Sequence, residues 1–155
     1  MTDLDTRAQV HDLVVGFYRE IAFDELLAPV FTETAEVDWS LHIPKLIDYW
    51  CRVLLGHPGY EGAILGAHRE VHELEAFRPE LFDRWYDLWA QSVDRGWEGP
   101  LAERAKAHAA RMSATLARRL IDSPWEPPAC PAAAAASGAT TVLGGDLAAG
   151  AGTSR

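Results

Sequence analysis

Val10-His11-Asp12-Leu13-Val14-Val15-Gly16-Phe17-Tyr18-Arg19-Glu20-Ile21 carries large apolar or aromatic side chains at 10, 13, 14, 17, 18 and 21. These fall at i, i+3, i+4, i+7, i+8 and i+11, the period of one buried stripe on an α-helix. Working outward, residues 24–31 read as a short helical piece containing Pro29, and 32–38 as a polar connection. A second helix is expected over about 41–55, with Pro44 in its first turn, where a missing N–H costs least. His42, Leu46, Tyr49, Trp50 and Val53 share its face. Gly56 stops it, 56–62 is a loop, and a short helical piece spans 63–72. Pro79 opens the next helix, in which Phe82, Trp85, Trp89 and Val93 recur until Gly96. Gly99-Pro100 opens the last one, whose stripe of Ala105, His108, Met112, Leu116 and Leu120 ends near the basic pair Arg118-Arg119. No segment alternates with period two. The fold class is therefore all-α, about five or six helices packed by side-chain ridges.

The 155-residue chain sets 14 basic against 23 acidic side chains, a net charge of −9. Its only lysines are Lys45 and Lys106, too sparse a positive surface to neutralise a row of phosphates, so neither nucleic acid nor an anionic membrane surface is an expected partner. No window approaches the roughly 20 apolar residues of a membrane span. The start, Met1-Thr2-Asp3-Leu4-Asp5, is acidic where a secretory signal is basic and then apolar, so the expected compartment is the cytoplasm. Cys51, in an apolar helical stretch, and Cys130, in a Pro/Ala tail, read as free thiols, and no Cys-x-x-Cys spacing offers a zinc finger. Composition changes at Ser123, where Ser-Pro-Trp-Glu-Pro-Pro leads into Ala, Gly and Thr. Ordering costs roughly 1–2 kcal/mol per residue for the backbone, and 123–155 has too few large apolar groups to offset it, so this tail is expected to be disordered. The folded unit is then 1–122, long enough to bury roughly two-thirds of its unfolded surface.

Three sets of residues carry a family resemblance. Phe17-Tyr18 precedes Phe31 by a short link; Trp39-Ser40-Leu41-His42 leads into Tyr49-Trp50; and Leu54-Leu55-Gly56 is followed by Tyr60, Gly62 and His68. A further match lies in Phe82-Asp83-Arg84-Trp85-Tyr86-Asp87-Leu88-Trp89. Over about 8–119 the chain resembles the group III truncated hemoglobins, shortened bacterial globins. The resemblance implies a helical sandwich around one heme b, with His68 as proximal iron ligand. His68 matches the family spacing from Trp50 and the Leu54-Leu55-Gly56 turn without a gap, whereas His72 would need an insertion. By the same likeness Tyr18, His42 and Trp85 are the polar distal residues, Leu46 the apolar wall, and Phe31 the phenylalanine that packs on the porphyrin. Trp50 resembles the family's tryptophan on the distal helix, set against the heme or the core beneath it. The stretch after His68, Arg-Glu-Val-His-Glu-Leu-Glu-Ala, varies in length within the family, and the tail has no counterpart in the globin core.

Read as chemistry, a heme site needs an apolar slot, one imidazole nitrogen facing the iron, and groups on the other face to govern what binds. Bound O₂ carries partial negative charge, so the Tyr18 and Trp85 donors would hold it, while His42 can donate, shuttle a proton or gate entry. The ligands implied are O₂, NO, CO or peroxide. An enzyme of NO-dioxygenase or peroxidase-like type is the alternative, needing an external reductase since no reductase segment is recognised in this sequence. A third reading is a cofactor-free helical interaction module whose aromatic stripes are only core. His72, four residues after His68, either completes a two-imidazole zinc site for which further ligands are not obvious, or is partly exposed or touches a heme propionate.

Overall fold

A computed structural model of the chain describes residues 1–129. Its elements are α1 (Arg7–Ile21), a π-helical turn (Val30–Thr34), α2 (Trp39–Leu55), α3 (Ile64–Leu74), α4 (Pro79–Gly96) and α5 (Pro100–Ile121). Among the described residues there is no β-strand, only an isolated bridge between Thr2 and Trp97. None of these helices is long and apolar enough to cross a membrane.

The stripe of α1 is the centre of the molecule. Val10, Leu13, Val14, Phe17, Tyr18 and Ile21 are all buried, and α1 packs against both α2 and α4, which in turn rest on α5. A capping box opens α1: the Thr6 side chain accepts from the Gln9 N–H while the Gln9 side chain returns to the Thr6 N–H. Gly56, at φ 69°, ends α2 in the left-handed conformation that glycine adopts without steric cost. Helix α3 is amphipathic but holds no fully buried residue, and it leans on α5.

Several boundaries differ from the sequence expectation. The helical piece expected at 24–31 forms later: Asp24 caps a turn by accepting from Leu26 N (3.1 Å) and Leu27 N (3.0 Å). The following wide turn then takes in Thr32, Glu33 and Thr34 from the expected connection. Asp24 is buried at 9 % exposure, and its other oxygen binds Arg84 of α4 at 2.7 Å, so a tertiary ion pair decides where this segment coils. Helix α2 begins at Trp39, capped by the Asp38 side chain on Ser40 N, which puts Pro44 inside the helix rather than in its first turn. Proline there has no N–H for the Ser40 carbonyl. Helix α3 runs two residues beyond the expected 72.

Packing also extends past residue 122. Trp125 is buried against Phe82 and Tyr86, and its indole N–H donates to Asp83 at 2.8 Å. The tail expected to be disordered lies outside the described residues from 130 onward.

Candidate functional site

Tyr18, Phe31 and His42 come from three elements and meet in one cluster. The α1 stripe buries Tyr18, whose ring lies 5.9 Å from both Phe31 and His42 by centroid. The wide turn, closed by Ala35 N donating to Val30 O at 2.9 Å, carries Phe31 to within 6.5 Å of His42. From α4, the Trp85 indole N–H meets the Tyr18 hydroxyl. Burial pushes the Tyr18 phenol well above its ordinary range, so it stays protonated and able to donate. The imidazole of His42 is held below its ordinary pKa by burial first, and then by the nearby His68 and Lys45. His42 and His68, 26 positions apart by number (68 − 42), are thus electrostatic neighbours.

His68 is fastened to its own helix. Its Nδ1 is 2.8 Å from the Ile64 carbonyl, the hydrogen bond that leaves Nε2 as the lone-pair nitrogen. Burial depresses its pKa, the Ile64 bond opposing that in part, so the ring is neutral and able to ligate. His72 differs: its Nδ1 accepts the Phe77 N–H at 2.9 Å, which places the ring proton on Nε2. That tautomer presents a donor, not a lone pair. Among the described residues no group of three His, Cys, Asp or Glu could hold a metal ion by itself, so the two-imidazole zinc reading gains no further ligand.

Leu46 lies one turn after His42 on α2, half-buried against the main core. Trp50 is 2 % exposed and stacks on Trp89 with centroids 4.3 Å apart, so it sits in the core beneath the cluster and has no ring contact with Tyr18, Phe31 or His42. Trp39, noted in the sequence only as the start of the Trp39-Ser40-Leu41-His42 motif and given no role, stacks on Phe31 at 5.7 Å and stands 6.0 Å from His42. Its spacing of i−3 from His42 on one helix face was the available signal. Phe77, likewise given no role, lies between the two α3 histidines, 6.3 Å from His68 and 5.6 Å from His72. The wide turn and the end of α3 border a solvent-open groove of about 740 Å³ lined by Glu33, Thr34, Ala35, Glu36, Leu74 and Glu75.

Two comparisons bear on this arrangement. A curated group 3 truncated hemoglobin of Campylobacter jejuni is 31% identical over 81 residues, which cover 50% of this chain and 61% of that protein. Over that stretch the chain is similar to a group 3 truncated hemoglobin. A crystal structure of group III truncated hemoglobin from Campylobacter jejuni superposes with a TM-score of 0.68 at 23% identity, covering 77% of this chain and 95% of that one. The truncated-hemoglobin fold is thereby assigned to the helical sandwich described above. No family model matches the chain. Tyr18, His42 and Trp85 stand on three helices, with Tyr18 next to both of the others, and His68 of α3 is near enough to His42 to act on its charge.

Proposed function

We propose that this chain binds one heme b through His68 Nε2 and holds O₂ or another diatomic ligand beside Tyr18, His42 and Trp85. The observation that carries the reading is the His68 ring, neutral, with Nδ1 committed to the Ile64 carbonyl and Nε2 left without a hydrogen-bond partner among the described residues. A neutral imidazole with a free Nε2 would hold an iron whose other ligands a macrocycle supplies. Heme, when bound, supplies the iron at which O₂, CO or NO is taken up.

The chain's own residues then do the rest. Tyr18 and Trp85 offer an O–H and an N–H to a ligand that draws negative charge onto its outer atom, and such charge-assisted hydrogen bonds are worth roughly 1.5–3 kcal/mol each. Neutral His42 keeps one donor and one acceptor nitrogen, so it can pass a proton in or out of the pocket. Phe31 and Leu46 supply apolar wall that excludes water, and Trp50 supports α2 from the core. His72, whose Nδ1 accepts the Phe77 N–H, keeps an Nε2–H that a heme propionate would accept.

Ferric, dithionite-reduced and CO-bound absorption spectra after adding hemin test the reading. A Soret band that survives His72→Ala but is lost or shifted in His68→Ala is expected. Wild-type protein that stays colourless with hemin overturns the proposal and leaves the cofactor-free helical module.

A further inference from the structure

The aromatic side chains of the core form an unbroken path from the Tyr18 cluster to a cavity. Trp85, at the Tyr18 hydroxyl, stacks on Trp89 with centroids 5.9 Å apart and planes 4° from parallel. Trp89 stacks on Trp50 at 4.3 Å and 21°. Trp50 meets Tyr49 and His108 edge-on, each at 5.5 Å. There the path opens into a cavity of about 300 Å³ lined by Tyr49, Arg52, Val53, Tyr60, Arg104 and His108. In its wall the Tyr49 hydroxyl sits 2.5 Å from His108 Nε2, with the Met112 sulfur as a weaker acceptor at 3.6 Å.

Core packing alone accounts for tryptophans in contact. It does not account for a phenol set against a base at the solvent end of the stack. Tyr and Trp are the neutral side chains that give up one electron most readily, and a phenol does so only if its proton has somewhere to go. Burial pushes the Tyr49 phenol up to about 12, so it keeps its proton at rest. Burial, then Arg111 and Arg104, lowers the His108 pKa, so its ring is neutral with a lone pair to receive that proton.

We propose that Trp85, Trp89, Trp50 and Tyr49 are an electron relay, carrying oxidising equivalents from the Tyr18–Trp85 pocket to Tyr49 and His108, where a small anionic phenol or enediol donor supplies electrons. The proposal rests on the heme reading and names hydroperoxide, reduced in the pocket, as the oxidant. In each cycle Tyr49 gives one electron to the stack. Its O–H bond breaks, an N–H bond forms on His108 Nε2, and a phenoxyl radical is left. The donor returns an electron to Tyr49, His108 returns the proton, and the donor's own proton goes to solvent. Two cycles supply two electrons, and with two protons taken from solvent the hydroperoxide becomes an alcohol or water plus water, so the donor's hydrogens balance. Arg52 and Arg104 give the cavity a positive rim on a protein of net charge −9, which selects an anionic donor.

The test treats the heme-loaded protein with hydrogen peroxide and a nitroso spin trap, maps adducts by peptide mass spectrometry, and follows freeze-quenched radicals by electron paramagnetic resonance. A tyrosyl adduct on Tyr49 is expected, lost in Tyr49→Phe with a tryptophanyl signal in its place. His108→Gln and Trp89→Phe are each expected to lose the Tyr49 adduct, and Tyr60→Phe to keep it. If buried Trp89 tolerates no change, His108→Gln at the half-buried end decides. Adducts on Tyr18 or Tyr86 with none on Tyr49, or a Tyr49 yield indifferent to His108→Gln, overturn the relay alone. Failure to take up heme overturns the relay together with the function on which it rests.

Discussion

Tyr18 is 6 % exposed, and its hydroxyl has the Trp85 indole as neighbour, so each residue conceals the effect of losing the other. Under the heme reading, Tyr18→Phe or Trp85→Phe removes one donor worth roughly 1.5–3 kcal/mol, and O₂ dissociation rises by about 10- to 100-fold. Stopped-flow release from single and double variants measures it, and an off-rate unchanged even in the double variant would refute the distal cage. His72 offers a contrast on the neighbouring helix. Its Nδ1 accepts the Phe77 N–H, so His72→Ala leaves that amide without its partner and costs about 1 kcal/mol in chemical denaturation. Both α3 histidines were visible in the sequence as an i, i+4 pair. Their opposite tautomers were not, because each depends on a backbone group that only the folded loop and helix bring into reach.

Helix boundaries show the same division at the scale of an element. Gly99 opens α5 at φ 142° with no side chain to cap it, and the cap arrives from the other end of the chain. Asp3 accepts from Leu101 N at 2.9 Å and Ala102 N at 2.8 Å, across 98 and 99 positions. Burial works to raise the Asp3 pKa, but the Leu101, Ala102 and Leu4 amides outweigh it and the net shift is downward. Asp3→Ala should cost about 1–2 kcal/mol by urea titration, and Asp3→Asn most of that less. A midpoint indifferent to Asp3→Ala would mean that the N-terminal strap contributes nothing to α5. The wide turn at Val30–Thr34 is a second case: its residues carried no strong period, and the buried Asp24–Arg84 pair, linking positions 60 apart, decides where it coils.

Across the whole molecule, His42, His68 and His108 all have pKa values lowered first by burial. The unfolded chain therefore binds more protons than the folded one once pH drops toward their ordinary values. Their contribution is complete above about pH 6.5 and is lost as pH falls through the depressed folded values. Urea midpoints of heme-free protein should accordingly decline from about pH 8 to about pH 5.5, and a flat or rising profile would contradict the burial of these rings. Truncation after residue 122 gives an independent check on the extent of the packed unit. It removes Trp125 from Phe82 and Tyr86 together with its bond to Asp83, and about 3–5 kcal/mol of stability should go with it. A truncated chain as stable as the longer one would place the boundary back at 122.

The helices, the α1 stripe, the stops at Gly56 and Gly96 and the openings at Pro79 and Pro100 were determined by the sequence alone, because 3.6-residue periodicity and capping chemistry are local. Histidine positions and the aromatic pair Phe17-Tyr18 were equally legible. Only the tertiary structure decided that Trp39 joins Phe31 and His42, that Asp3 caps α5, that Trp125 completes the core, and that Tyr49 meets His108 across 59 positions. Each of these depends on the angle and register at which helices pack, and close packing sets those through all the partners at once, not through any one stretch of chain.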